Sequence, residues 1–314
     1  MDGERKKIEL LNPFEEAIEL TKKILFQPFV FEKWLVIGFA AFLSGHFSAT
    51  GFNFNFPLRN HRLQTNHITL LPNFGQWEPW LVILILVGSL MFLALIVVFM
   101  WLKARGNFIF TDCIVRDRGK IAEPWREYRT EGNSYFLFLL LVMLGTIVIL
   151  GLLCLFGFAA FGFFGAGFND AKMTPLFFIF LGLFFLMWMC FAFFFGLTSY
   201  FMVPVMYVRR CGATVAFREV FGLILDYPGS FILFCLFGSC LVVGMLMIGV
   251  VVTCLTCCLA ALPYVGTVIL LPVFVCLRAF GLRFIRQFGP DYDVWASSVE
   301  PPPVVPSTPP PLPG

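Results

Sequence analysis

Three arginines occupy matching places in a repeated phrase. It reads Val115-Arg116-Asp117-Arg118-Gly119, then Val208-Arg209-Arg210-Cys211-Gly212, then Leu277-Arg278-Ala279-Phe280-Gly281. Arginine has a planar fork that can hold two oxygens of an acidic group at once. Drawn together, Arg116, Arg209 and Arg278 would form a ring that binds phosphate or anionic lipid headgroups. Held apart, they are stop-transfer charges that snorkel to a membrane edge, while each glycine ends a helix and lets the chain turn. Arg278 lies nearest an apolar stretch, so it is the most informative of the three.

Two other groups have chemistry-bearing side chains. Cys254-x-x-Cys257-Cys258 has the spacing of a thiol–disulfide exchange pair that would work with a quinone. Such an enzyme would need a second cysteine pair as a relay, and the loops on that side have none. Most of the ten cysteines fall in apolar runs, where cysteine packs as a small hydrophobe. His46, His61 and His67 share one loop, but their spacing matches no compact metal-ligand motif. The chain has no Gly-x-Ser-x-Gly, no His-Glu-x-x-His and no phosphate-binding glycine loop. These residues call for no enzymatic reaction, no cofactor and no nucleic acid.

The elements that position these residues are membrane helices. Of 314 residues, 59% are hydrophobic and only 13% are charged, against about 25% charged in a typical soluble domain. Mean hydropathy is +0.87. Runs of roughly 20 apolar residues, enough to cross a bilayer, predict six spans over 31–50, 80–103, 135–160, 175–203, 230–258 and 262–285. Pro204 and Pro272 are expected to kink the fourth and the sixth. Beyond Glu32, no Asp or Glu lies within a predicted span, which argues against a carboxylate that carries protons or sodium.

The distribution of charge sets the orientation. With the N-terminus inside, 19 of the 22 Lys and Arg face the cytoplasm and only Arg59, Arg62 and Lys172 face the other side. The positive-inside rule then predicts both termini in the cytoplasm.

A short amphipathic segment precedes each pair of spans. In the first, Asn12, Pro13 and Glu15 read as N-cap, first helical residue and capping box, and Phe14, Ala17, Ile18, Thr21, Ile24 and Leu25 line one face. The second carries Ile121, Trp125 and Tyr128, and the third Ala213, Ala216, Phe217, Val220 and Ile224. Such faces suit helices lying in the membrane interface. The expected fold is therefore an all-α integral membrane protein with three repeated units, about 12–118, 119–211 and 212–288, in a polytopic domain over 1–288. From 289 to 314 the chain turns proline-rich, and a disordered or polyproline II tail is expected there.

The opening Asn-Pro-Phe-Glu-Glu-Ala-Ile, followed by Lys22-Lys23-Ile24-Leu25-Phe26-Gln27-Pro28-Phe29 and Lys33-Trp34, resembles an uncharacterised family of prokaryotic multi-pass proteins. That family is similar to the membrane domain attached to some bacterial glycerophosphodiester phosphodiesterases. The resemblance covers residues 12–288 and does not include the phosphodiesterase catalytic domain, so it implies a membrane fold and not that activity.

The expectation from sequence is a non-enzymatic protein of the prokaryotic inner (plasma) membrane. Its partners would be membrane lipids, met through the amphipathic helices, and a protein met through the proline-rich tail. A transporter of small solutes or lipids, with a cavity between the three units, is the alternative, and a membrane thiol oxidoreductase is a third reading.

Overall fold

A computed structural model describes residues 8–45, 79–163, 173–256 and 262–296. Among these the fold is all-helical, without strands. In chain order the helices are α1 (Leu11–Phe26), α2 (Phe31–Leu43), α3 (Pro79–Val115), α4 (Ala122–Glu127), α5 (Arg129–Phe163), α6 (Met173–Arg209), α7 (Ala213–Asp226), α8 (Pro228–Leu255), α9 (Pro263–Ile269) and α10 (Leu271–Arg286). A short 3-10 turn, Pro290–Tyr292, follows.

Four of the described helices are long and apolar enough to cross a membrane, over Trp80–Val115, Arg129–Leu155, Ile179–Arg209 and Pro228–Leu255. The segments expected to be the first and sixth spans take another form. The described part of the first is α2, whose 13 residues reach only about 20 Å. The sixth divides at Leu270 into α9 and α10, with Pro272 in the first turn of the second piece.

The long helices change surroundings along their length. On α3, Val82, Leu86, Leu90 and Leu93 are exposed, whereas Ala104, Phe108, Phe110 and Ile114 are buried. On α6, Leu183, Phe185 and Met187 are exposed, whereas Phe201, Met202, Val205 and Met206 are buried. One end of each helix thus faces outward and the other enters a shared core. Burying those apolar side chains is the main favourable term holding this end together.

At the centre of that core lies α10. It buries Phe280 and Phe284 among Phe201, Phe231 and Phe234, with Phe234 and Phe284 centroids 4.5 Å apart. Its other side receives α1, whose Ala17, Thr21, Ile24 and Leu25 are buried. Similarly, α7 buries Ala213, Ala216, Val220 and Ile224 and packs on α6. The amphipathic faces expected to rest in lipid are therefore largely covered by protein.

The start of α1 also differs from expectation. Leu10 is its N-cap, and Asn12 lies inside the first turn with its amide donating to Glu9. Proline at the third helical position, where no intrahelical N–H bond is needed, is compatible with this earlier start. At α7 the N-cap is Gly212, which has no side chain, and the Ser134 hydroxyl of α5 accepts the Ala213 N–H at 3.0 Å instead.

Close backbone approaches join α2 to its neighbours. A Cβ on Gly106 of α3 would lie 2.5 Å from the Leu43 carbonyl carbon. On the other side, the Trp34 indole N–H donates to the Val268 carbonyl at 2.9 Å and the Tyr264 hydroxyl donates to Leu35 at 3.2 Å.

Candidate functional site

The packed end of the long helices contains a charged layer built around Asp112. This carboxylate sits on α3, one turn before the helix ends, and its side chain is 0% exposed. Oδ1 accepts a hydrogen bond from the Tyr207 hydroxyl at 3.0 Å, and Oδ2 accepts one from Arg118 Nε at 3.0 Å. Arg116 Nε adds a charge 3.3 Å from Oδ1. Arg118 can reach back because the chain reverses at Asp117, where φ is +51°.

Glu127 forms the second centre of the layer. Arg116 grips it with two bonds, Nη1 to Oε2 at 3.0 Å and Nη2 to Oε1 at 2.8 Å. Arg210 also donates to Glu127 and lies 3.9 Å above the centre of the Tyr128 ring. Tyr128 stacks on Tyr207 at 4.8 Å, which closes a circuit through α3, α4 and α6. A buried charge needs partners and hydrogen bonds of this kind, and Asp112 has them on every side.

The electrostatics of Glu127 follow from these contacts. Burial alone would raise its pKa, but the hydrogen bonds from Arg116 and Arg210 outweigh burial and hold it below its ordinary value of 4.5. Burial dominates at Tyr128 and pushes its phenol up to about 12. A carboxylate depressed in the folded state contributes stability above its unfolded pKa, and the contribution disappears as pH falls through the folded value. Unfolding followed from pH 7 to acid should show stability lost below the ordinary carboxylate value, with a shallower loss in Glu127→Gln. Identical acid limbs for the two proteins would contradict this assignment.

The three arginines of the repeated phrase do not converge on one site. Arg116 is committed to Asp112 and Glu127. Arg209 pairs with Glu219 of α7 and with Asp291 at 2.9 Å, and its guanidinium lies over Tyr292. Arg278 is different. It is 5% exposed and has no carboxylate within ion-pair distance among the described residues. Thr111 Oγ1 accepts from its Nε at 3.2 Å and its Nη2 at 2.8 Å, and the Tyr200 ring centre is 5.3 Å from its guanidinium carbon.

The local backbone separates the copies in the same way. Asp117 and Arg210 hold the same place in the first two phrases, and both are left-handed, with φ of +51° and +50°. The third phrase lies wholly inside α10. Gly281 is there because Tyr200 crosses it closely: an added Cβ would fall inside the Tyr200 side chain. It marks a helix crossing, and no helix ends at it.

Beside Arg278 lies a cleft of about 430 Å³ between α6, α8 and α10. Apart from Arg278 and Tyr200 its walls are almost wholly apolar, with Phe193, Leu197, Val242 and Met245 among them. Its volume is in the range of pockets that take small ligands, about 300–1,000 Å³.

Sequence reasoning missed Asp112, because the second span was expected to end at residue 103 and the helix continues to Val115. A signal was present: an aspartate in the apolar run 108–115 with an arginine four residues later, one helical turn away. A second buried arginine, Arg105, was also missed. It lies between Trp101 and Trp125, 4.7 and 4.8 Å from their ring centres, and donates to Asn133. Cys254 is exposed on α8, while Cys257, Cys258 and the three histidines lie outside the described residues. No group of three His, Cys, Asp or Glu side chains among the described residues is placed to hold a metal ion.

Comparison with curated proteins and with solved structures finds no match. A family model does match, over residues 10–290, and the chain belongs to that family, DUF7544, a family of unknown function.

Proposed function

We propose that this is a non-enzymatic multi-pass protein of the prokaryotic inner membrane that organises lipid around its long helices. The observation that carries this reading is the outward-facing apolar surface of the four candidate spans. In three of them the most apolar stretch is entirely unburied, and in the fourth it is nearly so. Soluble monomers rarely expose contiguous apolar surface on this scale, because water penalises it. In a bilayer the same surface is solvated by acyl chains.

The charged layer then faces the cytoplasm, in keeping with the Lys and Arg distribution, and both termini lie on that side. The outer faces of α1, bearing Glu15, Glu19, Lys22 and Lys23, meet headgroups, and the proline-rich tail contacts a protein partner. The likeness to the membrane domain of glycerophosphodiester phosphodiesterases belongs to this reading as a likeness of membrane architecture. Spin-labelled phospholipids around the reconstituted protein provide the test. A motionally restricted lipid population larger than a closely packed four-helix bundle can contact is expected; its absence would end the proposal.

The cleft between α6, α8 and α10 favours a second reading, movement of a solute or lipid through the protein. Proteoliposomes with no substrate flux above protein-free vesicles would exclude it.

A further inference from the structure

We infer that the cleft beside Arg278 is a binding site for a long-chain carboxylic acid, with its carboxylate on Arg278 and its chain between α6 and α8. The inference rests on the membrane reading only in that the ligand would enter from lipid. Three observations carry it.

The first is the state of the arginine. A guanidinium removed from water needs compensation, and Arg278 receives it from the Thr111 hydroxyl and from the ring and side-chain hydrogen bond of Tyr200. Both groups are neutral, so nothing among the described residues within ion-pair distance balances its charge. Arg116, Arg118, Arg209, Arg210, Arg283 and Arg286 all have carboxylates, whereas the two buried arginines do not: Arg105 is held between two tryptophans and donates to Asn133, and Arg278 alone of the two lines an apolar cleft. A ligand carboxylate would supply the missing charge with two parallel hydrogen bonds.

The second is the shape and chemistry of the cleft. Phe193, Leu197 and Tyr200 follow one another by a turn along α6, and Cys235, Gly238, Val242 and Met245 do so along α8. The cleft therefore runs along the helices for about 10–15 Å. Arg278 and Tyr200 lie at its buried end, while Phe193 and Val242, both exposed, lie toward the lipid-facing surface. A polar head at the inner end and an apolar tail extending outward satisfy both walls.

The third is charge. A single guanidinium balances one negative charge. A phosphate monoester carries more than one, and the cleft has no second cation to meet it. A monoanionic head on one chain is the class that fits.

Gly238 allows a test that spares the arginine. Nothing lies within 4 Å of where its Cβ would be, so a larger side chain fits without backbone strain and fills the cleft. The full-length protein in a neutral detergent is titrated with hexadecanoate, hexadecanol and hexadecyl phosphate. The wild type should bind hexadecanoate at least about tenfold more tightly than the alcohol, one charge-assisted contact being worth that much. Arg278→Gln should reduce the preference to about unity, and Gly238→Leu should abolish binding of both. If Arg278→Gln does not fold, the wild-type preference and Gly238→Leu still decide. Equal binding of acid and alcohol by the wild type, unchanged binding in Gly238→Leu, or a preference for the phosphate would each overturn the inference. The measurement uses micelles, so failure of the lipid-ordering experiment leaves it standing, and the reverse also holds.

Discussion

Asp112→Ala is expected to lower stability by about 3 kcal/mol, the largest single loss we predict. Alanine removes the carboxylate but leaves its partners in place. Arg116 and Arg118 then face each other at a site whose side chain was 0% exposed, and the Tyr207 hydroxyl loses its acceptor. Breaking a buried pair by deleting one member typically costs about 3–5 kcal/mol, chiefly because a charge is left uncompensated. The lower end applies because Arg116 is 34% exposed, keeps Glu127, and can turn partly toward water. Asp112→Asn should lose less, since its amide oxygen still accepts from Tyr207. Denaturant unfolding in mixed micelles measures both variants. A change in Asp112→Ala within about 0.5 kcal/mol, as for an ordinary surface substitution, would show that the layer contributes little.

Gly106→Ala should have the second-largest effect, about 1–3 kcal/mol, through steric overlap. The new Cβ would lie 2.5 Å from the Leu43 carbonyl carbon and 2.7 Å from both the Leu43 oxygen and the Ser44 nitrogen. These are backbone atoms, so no rotamer change can relieve the overlap and α2 has to move away from α3. Gly88, on the same helix, is the control: a Cβ there meets nothing within 4 Å. Alanine at Gly88 should be neutral or slightly stabilising, because it lowers the backbone entropy lost on forming the helix. A gain at Gly106 like that at Gly88 would mean that helix propensity, and not the α2–α3 crossing, governs the result.

Hydropathy read the four long helices well, because few structures besides a span accommodate an apolar run longer than a bilayer crossing. The segments expected to span at the two ends of the chain are not among these four. An apolar stretch such as Leu271–Arg286 can be a span or the centre of a packed core, and composition does not separate the two. What decides is whether Phe231, Phe234 and Phe284 find each other, a contact between distant parts of the chain. The site was half legible. Arg278 was singled out for lying nearest an apolar stretch, whereas its pairing with Thr111 joins residues 167 apart in sequence and had no local signature. The glycine of its phrase was legible as a constraint but was assigned the wrong cause, since a helix end and a crossing tyrosine both exclude a side chain.

The passage of α3 and α6 from outward-facing surface into the core has a mechanical side. Each is a single helix of 37 residues, about 55 Å long, against a hydrocarbon thickness of about 30 Å. A thinner or thicker bilayer tilts the outer arm, and a stiff helix delivers that rotation to its inner arm. Beyond Pro79, α3 has no proline, so it acts as a plain lever with Asp112 on its short arm. Pro204 interrupts the backbone ladder of α6 three residues before Tyr207 and makes a joint there. A tilt of the outer arms would therefore reach the two ends of the Asp112–Tyr207 hydrogen bond unequally, along an unbroken ladder in α3 and across Pro204 in α6.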